Sequence, residues 1–135
     1  MNYEKIINML PDGMAVIKAD GIILYANRAF LRGTGLDGES AKGRSYLEVL
    51  DRLPIEDKEA AKESFERRIR GESMAPYVVK MSRQGRERFI EINATRIELD
   101  GEAADLAITR DVTERKQAEE QAREERDFAR SIIAT

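Results

Sequence analysis

Cysteine and histidine are both absent from the 135 residues of this chain. Without cysteine, a disulfide, a thiolate nucleophile and a zinc–thiolate site are excluded. Without histidine, a Ser-His-Asp triad, a histidine-ligated haem and histidine-based metal sites are excluded as well. We therefore predict no metal-binding residues. The absence of cysteine also agrees with a reducing compartment, so we expect a cytoplasmic protein.

Long hydrophobic runs are also missing, so we expect no transmembrane span and no signal-peptide core. The 23 basic and 26 acidic residues give a net charge of −3 and are mixed along the chain. This mixture excludes the basic stripe of a nucleic-acid-binding protein and the polybasic anchor of a membrane-surface protein. The length predicts one domain. A charged fraction of 36% is high for a compact domain, so we expect a solvated appendage beside the core.

Turn signals and hydrophobic periodicity predict an α+β domain with a five-stranded antiparallel sheet. Asp20-Gly21 and Asp100-Gly101 each separate two β-prone runs, which is typical of a β-hairpin. The predicted strands lie at 14–18, 22–26, 77–81, 89–97 and 103–112. The predicted helices lie at 2–10, 28–32, 46–50 and from about Pro54 to Gly71, with at most one helical turn at 37–42.

One face of the predicted sheet and its helices is apolar. In the strand at 89–97, Ile90, Ile92 and Ala94 alternate with polar residues. This face is either an ordinary filled core or an apolar cavity for a small ligand, because both use the same residue types. The predicted inward positions are Leu31 and the candidate ligand-pocket residues Ala15, Ile17, Leu24, Phe30, Phe65, Ile69, Val78, Ile90, Ile92, Leu106 and Ile108.

Three polar residues near this face need an interpretation of their own. Asn27 precedes the helix at 28–32, so its side chain either caps that helix or hydrogen-bonds a ligand as a further ligand-pocket residue. Glu91 and Asp105 are carboxylates on predicted strands. We expect both on the solvent face rather than paired as a catalytic acid and base, and we predict no enzymatic activity.

The end of the chain has a different composition. Residues 114–130 contain no glycine or proline and consist mostly of strong helix formers, which predicts a long helix. A seam with the 4-3-4-3 spacing of a coiled coil is formed by Ala118, Ala122, Glu125, Ala129 and Ile132. Its small residues leave two interpretations, a solvated single helix and a linker helix that pairs with a neighbour.

Two further features belong to this end of the chain. Asp111 and Thr113 are predicted to fix the exit of the last strand into the linker through side-chain hydrogen bonds to nearby backbone. The alternative is an ordinary helix N-terminus with no signalling role. The segment at 126–135 is similar to the segment at 3–9, since an aromatic residue is followed by paired isoleucines in both. We therefore expect a second, similar domain to begin there.

Six segments of the chain together resemble the PAS domain family. They are 10–17, 20–30, 34–35, 43–45, 83–86 and 110–119, in the family's order and spacing. The flavin-photoreceptor branch of that family carries an Asn-Cys pair after a Gly-Arg, whereas here Gly43-Arg44 is followed by Ser45-Tyr46. A covalent flavin adduct is therefore excluded, as is His-ligated haem. The cofactor is unknown, and we expect a colourless protein.

The resemblance implies a PAS-like five-stranded antiparallel sheet with short helices on one face, a small pocket and a C-terminal linker helix. It implies a sensor domain at 1–112 and a linker at 113–135 in a multidomain signalling protein, such as a histidine kinase or a cyclic-nucleotide enzyme. A ligand- or partner-induced change would pass to the C-terminal helix. The alternative is a constitutive protein–protein interaction scaffold with no ligand. Both imply a homodimer, for which the first segment offers Ile6, Ile7 and Leu10.

Overall fold

The computed structural model describes residues 3–35 and 41–133. The helices in this part of the chain are α1 (Tyr3–Asn8), α2 (Arg28–Thr34), α3 (Tyr46–Arg52), α4 (Lys58–Ile69) and α5 (Thr113–Ile133). The strands are β1 (Gly13–Lys18), β2 (Ile23–Ala26), β3 (Tyr77–Arg83), β4 (Arg86–Leu99) and β5 (Glu102–Asp111). The α+β class and the order of elements are confirmed, with bounds that differ by a few residues. Asn2 and residues 37–40, where a helix start and a turn were expected, lie outside the described residues.

The strands form one antiparallel sheet with the order β2-β1-β5-β4-β3. The first and last strands of the chain, β1 and β5, are therefore neighbours in its middle. Ala15 lies opposite Ala107, which in turn lies opposite Ala94 on β4. These small residues in the middle of the sheet let the covering helices approach closely.

Local turn chemistry explains two of the strand connections. Gln84 and Gly85 have φ angles of 52° and 76°, and Asp100 and Gly101 have φ angles of 50° and 78°. Two consecutive residues with positive φ are required in the two-residue hairpin turn whose twist matches that of its strands. The Asp100-Gly101 hairpin that the sequence predicts is therefore present between β4 and β5.

Helices α2, α3 and α4 cover one face of the sheet, called here the inner face, and the core lies between them. Of the predicted inward residues, Ala15, Ile17 and Phe65 are buried, whereas Ile90 and Ile92 are partly buried on the same face. The buried cluster consists of Ile17, Ile23, Ala41, Val49, Leu53, Phe65 and Met81, with Leu31 and Ile69 packed against it.

Four predicted inward residues lie elsewhere: Leu24, Val78, Leu106 and Ile108. The sequence predicts the larger apolar side chains of β5 in the core. The inner face of β5 instead carries Asp105, Ala107 and Thr109, so Leu106 and Ile108 point to the opposite face. Val78 lies opposite Glu91 on that same outer face.

The displacement of Leu24 has a different cause. The register between β1 and β2 shifts between Val16 and Ile17, so that Ile17 pairs with Ile23. Ile23 is 1% exposed as a result, and Leu24 is turned to solvent with 43% of its surface exposed. An irregularity of one residue exchanges the two faces of a strand.

The helix expected from Pro54 begins later than predicted. Its N-cap is Asp57, whose carboxylate accepts a hydrogen bond from the Ala60 N–H at 3.0 Å. Pro54 instead belongs to a short extended segment beside β3, where its carbonyl accepts a hydrogen bond from Ser82 N at 3.1 Å. Ile55 bridges Met81 in the same segment. Proline fits an extended edge because it has no N–H to donate there.

Gly13 allows α2 to lie close to the sheet. A Cβ atom at this position would collide with the Thr109 Oγ1 and would lie 3.1 Å from the Phe30 Cα. Both contacts are tighter than ordinary van der Waals distances, and one of them is to backbone. The glycine thus sets the spacing between β1, β5 and the start of α2, where the candidate site lies.

Candidate ligand cavity

Two cavities lie between the inner face of the sheet and the helices. The larger has a volume of about 230 Å³. Its walls are mainly apolar, and Asp111 at the end of β5 lies at its rim. The lining residues include Ala29 and Phe30 of α2, Leu53, Ile55, Met81 and the predicted pocket residues Ile90 and Ile92.

The smaller cavity has a volume of about 100 Å³ and reaches the fully buried Asp105. Phe30, Ile92 and Thr109 line both cavities and so form the wall between them. The predicted pocket residues Ile17 and Phe65 line the smaller cavity. It also contains polar side chains that the larger cavity lacks, namely Tyr46, Arg68, Tyr77 and Asp105.

An ion pair is buried at this polar end. Arg68 of α4 donates from Nε and Nη2 to the two carboxylate oxygens of Asp105, at 2.8 and 2.9 Å. Asp105 is fully buried and Arg68 is 5% exposed. Burial lowers the pKa of Arg68, but its hydrogen bond with Asp105 and its proximity to Tyr77 raise the pKa by more, so the net shift is upward. The guanidinium therefore stays charged inside the domain.

This pair differs from the sequence-based prediction, which places Asp105 on the solvent face and names Glu91 as its partner in the catalytic alternative. The structure places Asp105 on the inner face, whereas Glu91 is on the outer face, where it lies 3.3 Å from Arg115. The available signal was the spacing of Ala61, Phe65 and Arg68, which puts an arginine on the buried face of α4.

Tyr46 adds a second polar group to the smaller cavity. Its ring lies 4.3 Å from the Phe65 ring, centroid to centroid. Burial raises the pKa of Tyr46 to about 12, and the negative charge of Glu66 contributes to the rise. The tyrosine hydroxyl is therefore uncharged over the whole physiological range.

The side-chain amide of Asn27 is fully used in hydrogen bonds within the domain. Its Oδ1 accepts hydrogen bonds from Phe30 N at 3.0 Å and Met14 N at 2.8 Å. Its Nδ2 donates to the carbonyls of Ile7 at 3.1 Å and Asp12 at 3.0 Å. These four bonds use the capacity of the amide. The capping interpretation is confirmed, and Asn27 also ties α1 and the start of β1 to α2.

Two other predicted pocket residues do not line either cavity. Ala15 is fully buried in the middle of the sheet, and Ile69 packs against the core cluster from α4. The predicted pocket set therefore divides into five residues that line a cavity, two that fill the core beside it, Asn27, and four that lie elsewhere.

The junction between β5 and α5 is held by side-chain hydrogen bonds, as the sequence predicts. The Asp111 Oδ1 accepts from Thr113 N at 2.9 Å and from the Thr113 hydroxyl. The Thr113 Oγ1 in turn accepts from Phe89 N at 2.9 Å. Val112 N donates to the Phe89 carbonyl at 2.8 Å. The first residue of α5 is thus connected directly to the rim of the larger cavity.

The outer elements carry the residues that the sequence assigns to pairing. Ile6 and Leu10 are 47% and 41% exposed, whereas Ile7 is partly buried and its carbonyl binds Asn27. In α5, residues 117–133 are exposed along their whole length. The coiled-coil seam therefore faces solvent in the single chain.

Residues 3–35 and 41–133 contain neither a membrane-spanning helix nor a cluster of metal-binding side chains. No helix in these ranges combines the length and the apolar character needed to cross a membrane. In the same ranges, acidic side chains do not gather in groups of three or more that are suited to a metal ion.

Comparison with known families identifies the fold. Residues 7–117 match the family model described as a PAS fold, so the chain belongs to the PAS family. The five-stranded antiparallel sheet, the helices over one face and the C-terminal helix are the architecture that the resemblance implies. No match was found among curated proteins.

Solved structures agree with this assignment. The PAS domain of an HTR-like protein from Haloarcula marismortui is 28% identical, with a TM-score of 0.60 over 81% of this chain and 88% of that chain. The PAS domain of BvgS from Bordetella pertussis is 21% identical, with a TM-score of 0.62 over 96% and 95%. A PAS domain from a two-component sensor histidine kinase is 19% identical, with a TM-score of 0.60 over 81% and 92%.

Proposed function

We propose that this PAS domain is the ligand-sensing input module of a cytoplasmic multidomain signalling protein, such as a histidine kinase or a cyclic-nucleotide enzyme. In this proposal, residues 1–112 sense the ligand and residues 113–135 carry the response toward a second domain. The domain regulates and does not itself catalyse a reaction. Its partners are a second copy of the chain and the output domain, with no role for nucleic acid or membrane.

The position of Asp111 supports this proposal most strongly. Asp111 lies at the rim of the larger cavity, and its carboxylate accepts the N–H of Thr113, the first residue of α5. Its second oxygen lies 3.7 Å from the Arg88 guanidinium on β4. A single side chain therefore joins the cavity, the sheet and the linker helix.

The proposed mechanism is a shift between two populated arrangements of this junction. A ligand in the larger cavity lies against the wall that contains Asp111 and changes the strength of the hydrogen bond between the Asp111 carboxylate and the Thr113 N–H. The start of α5 then tightens or loosens, because the first N–H groups of a helix have no partner within the helix. The exposed length of α5 carries that change away from the domain.

Hydrogen exchange of the Thr113 amide tests this mechanism directly. The probe is toluene, a single aromatic ring, added to the full chain and followed by NMR. We expect exchange at Thr113 to change on addition of the probe in the wild type and not in Asp111→Ala. Glu98→Ala removes an exposed carboxylate on β4 and serves as the control, which should respond like the wild type. A response in Asp111→Ala equal to that of the wild type would refute the coupling.

Self-association through α1 is the second part of the proposal. Tyr3, Ile6 and Met9 are 70%, 47% and 77% exposed, which leaves an apolar strip on a short helix. We expect Ile6→Glu to lower the sedimentation coefficient toward that of a monomer. The control is Lys5→Glu on the same helix, since it changes charge without removing apolar surface. A monomeric wild type would contradict the proposal.

The alternative function is a constitutive interaction scaffold with no ligand, and the same exposed strip on α1 favours it. Native mass spectrometry of the purified chain separates the two functions. A small molecule that co-purifies with the folded chain supports sensing. A chain that is free of ligand and also unaffected by aromatic probes supports the scaffold.

A further inference from the structure

The volumes of the two cavities limit what each can hold. A closed apolar cavity of about 150 Å³ is known to accept benzene. The larger cavity, at about 230 Å³, therefore has room for one six-membered ring with a short substituent. The smaller cavity, at about 100 Å³, is below the size of a ring but exceeds the roughly 30 Å³ that one water molecule occupies in the liquid.

The chemistry of the smaller cavity differs from that of the larger one. Arg68 and Asp105 at its end are almost fully buried and neutralise each other through two hydrogen bonds. An ionised ligand group placed there would meet one charge of its own sign and would bring an uncompensated charge into the interior, which is strongly unfavourable. A purely apolar group would offer no hydrogen-bond partner to Tyr46, Tyr77 or the ion pair.

A hydroxyl group avoids both the cost of burying a charge and the loss of hydrogen bonds. It is uncharged, and it can donate a hydrogen bond and accept one. Arginine offers only donors, and an ionised carboxylate offers only acceptors, so a hydroxyl can bond to either member of the pair. The wall between the cavities contains the Phe30 side chain, which is only partly buried. A ligand arm that extends from one cavity into the other therefore has to displace this ring.

We propose that the domain selects uncharged single-ring molecules that carry a hydroxyl group on a short arm. The ring occupies the larger cavity, and the arm passes Phe30 so that its hydroxyl reaches the Arg68–Asp105 pair in the smaller cavity. This selectivity rests on the proposed ligand-sensing function, because it requires that the larger cavity binds a ligand at all.

Isothermal titration of the full chain with three matched probes tests the selectivity. Benzyl alcohol carries the hydroxyl on a one-carbon arm, toluene lacks the hydroxyl, and benzoate carries a charge. We expect benzyl alcohol to bind about tenfold more tightly than toluene, because a hydrogen bond to a charged partner is gained. Benzoate is expected to bind more weakly than benzyl alcohol. Equal affinities for benzyl alcohol and toluene would overturn the proposal even though a ligand binds.

Two substitutions separate the contributions of the cavities. Ala61 is buried and lines only the smaller cavity, so Ala61→Leu should fill it and abolish the preference for benzyl alcohol while toluene still binds. Ala29 lines only the larger cavity, so Ala29→Leu should abolish binding of both probes. A preference that survives in Ala61→Leu would overturn the proposal.

The failure of the sensing function has a distinct result. If none of the three probes binds to the wild type, then the larger cavity is not a ligand site, and both the sensing function and the selectivity are refuted. Thermal unfolding of each variant establishes that it is folded. The comparison of the three probes on the wild type decides the selectivity if a variant does not fold.

Discussion

Removal of one member of the buried Arg68–Asp105 pair should destabilise the domain severely. In Asp105→Ala the guanidinium of Arg68 keeps its charge but loses both oxygens that lie 2.8 and 2.9 Å away. The two side chains are 6% and 0% exposed, so water does not replace the missing partner. Breaking a buried pair in this way costs about 3–5 kcal/mol of unfolding free energy.

The expected loss of unfolding free energy is large enough to be measured by unfolding in urea. Domains of this size have an unfolding free energy of about 5–15 kcal/mol, so the variant should lose about a fifth or more of its stability. In urea, unfolding free energy falls by about 2 kcal/mol per molar for a domain of this size. We therefore expect the midpoint of unfolding, followed by circular dichroism, to fall by about 2 M in Asp105→Ala.

The neighbouring residue provides a matched control. Arg67 donates to the two carboxylate oxygens of Glu72 from Nε and Nη2, at 3.0 and 3.2 Å. This pair has the same bidentate form, but its side chains are 42% and 47% exposed. Exposed pairs contribute little because water solvates both partners and salt screens them. Glu72→Ala is expected to leave the midpoint of unfolding nearly unchanged.

A double variant isolates the cost of the unpaired charge. Arg68→Met with Asp105→Leu replaces both charges by apolar side chains. We expect the midpoint of unfolding of this double variant to lie close to that of the wild type. The difference between the double variant and the sum of the single variants is the coupling free energy of the pair. Equal midpoints for Asp105→Ala and Glu72→Ala would refute the reasoning, since burial is the property in which the two pairs differ.

Three further outcomes are expected. Asn27→Ala should lower the unfolding free energy, measured in urea, by about 2 kcal/mol or more, because buried backbone groups of α1, β1 and α2 lose their hydrogen-bond partner. An unchanged midpoint of urea unfolding would contradict the proposed role of Asn27 in joining these elements. Burial raises the pKa of Tyr46 from 10 to about 12, so the unfolded chain releases the tyrosine proton first and the stability of the domain falls as pH rises from 10 toward 12. Tyr46→Phe should reduce that fall, measured by urea titrations across this pH range. An identical fall in the variant would contradict the raised pKa of Tyr46. In a parent signalling protein, deletion of residues 118–124 removes seven residues, which nearly restores the helical face, and should preserve regulation of the output activity. Deletion of residues 122–123 changes the face and should lock or invert that regulation. Equal regulation in the two deletion variants would show that α5 is only a flexible spacer.

Local features of the fold were readable from the sequence. The hairpin at Asp100-Gly101 depends on a residue pair that tolerates positive φ angles, and two adjacent residues suffice to specify it. The alternation of Ile90, Ile92 and Ala94 has the period of a strand, and these residues share the inner face. The capping role of Asn27 was also predictable, since it depends on residues only three positions apart.

The orientation of individual strands was not readable in the same way. In β5, both alternating sets contain apolar residues, so the hydrophobic pattern does not decide between Leu106 and Ala107. The choice depends on which side chains face β5 across the sheet, and Ala107 lies between Ala15 and Ala94. The exposure of Leu24 depends on the register shift between β1 and β2, which is a property of the pair of strands.

The candidate site shows the same division. From the sequence alone, the order of elements, the hairpin turns, the cap at Asn27 and the side-chain bonds between Asp111 and Thr113 were determined, because each involves neighbouring residues. The Arg68–Asp105 pair joins residues that are 37 positions apart, and either charge alone is typical of a solvated surface. Only the tertiary structure brings α4 against β5, excludes water from both side chains and makes each the obligatory partner of the other.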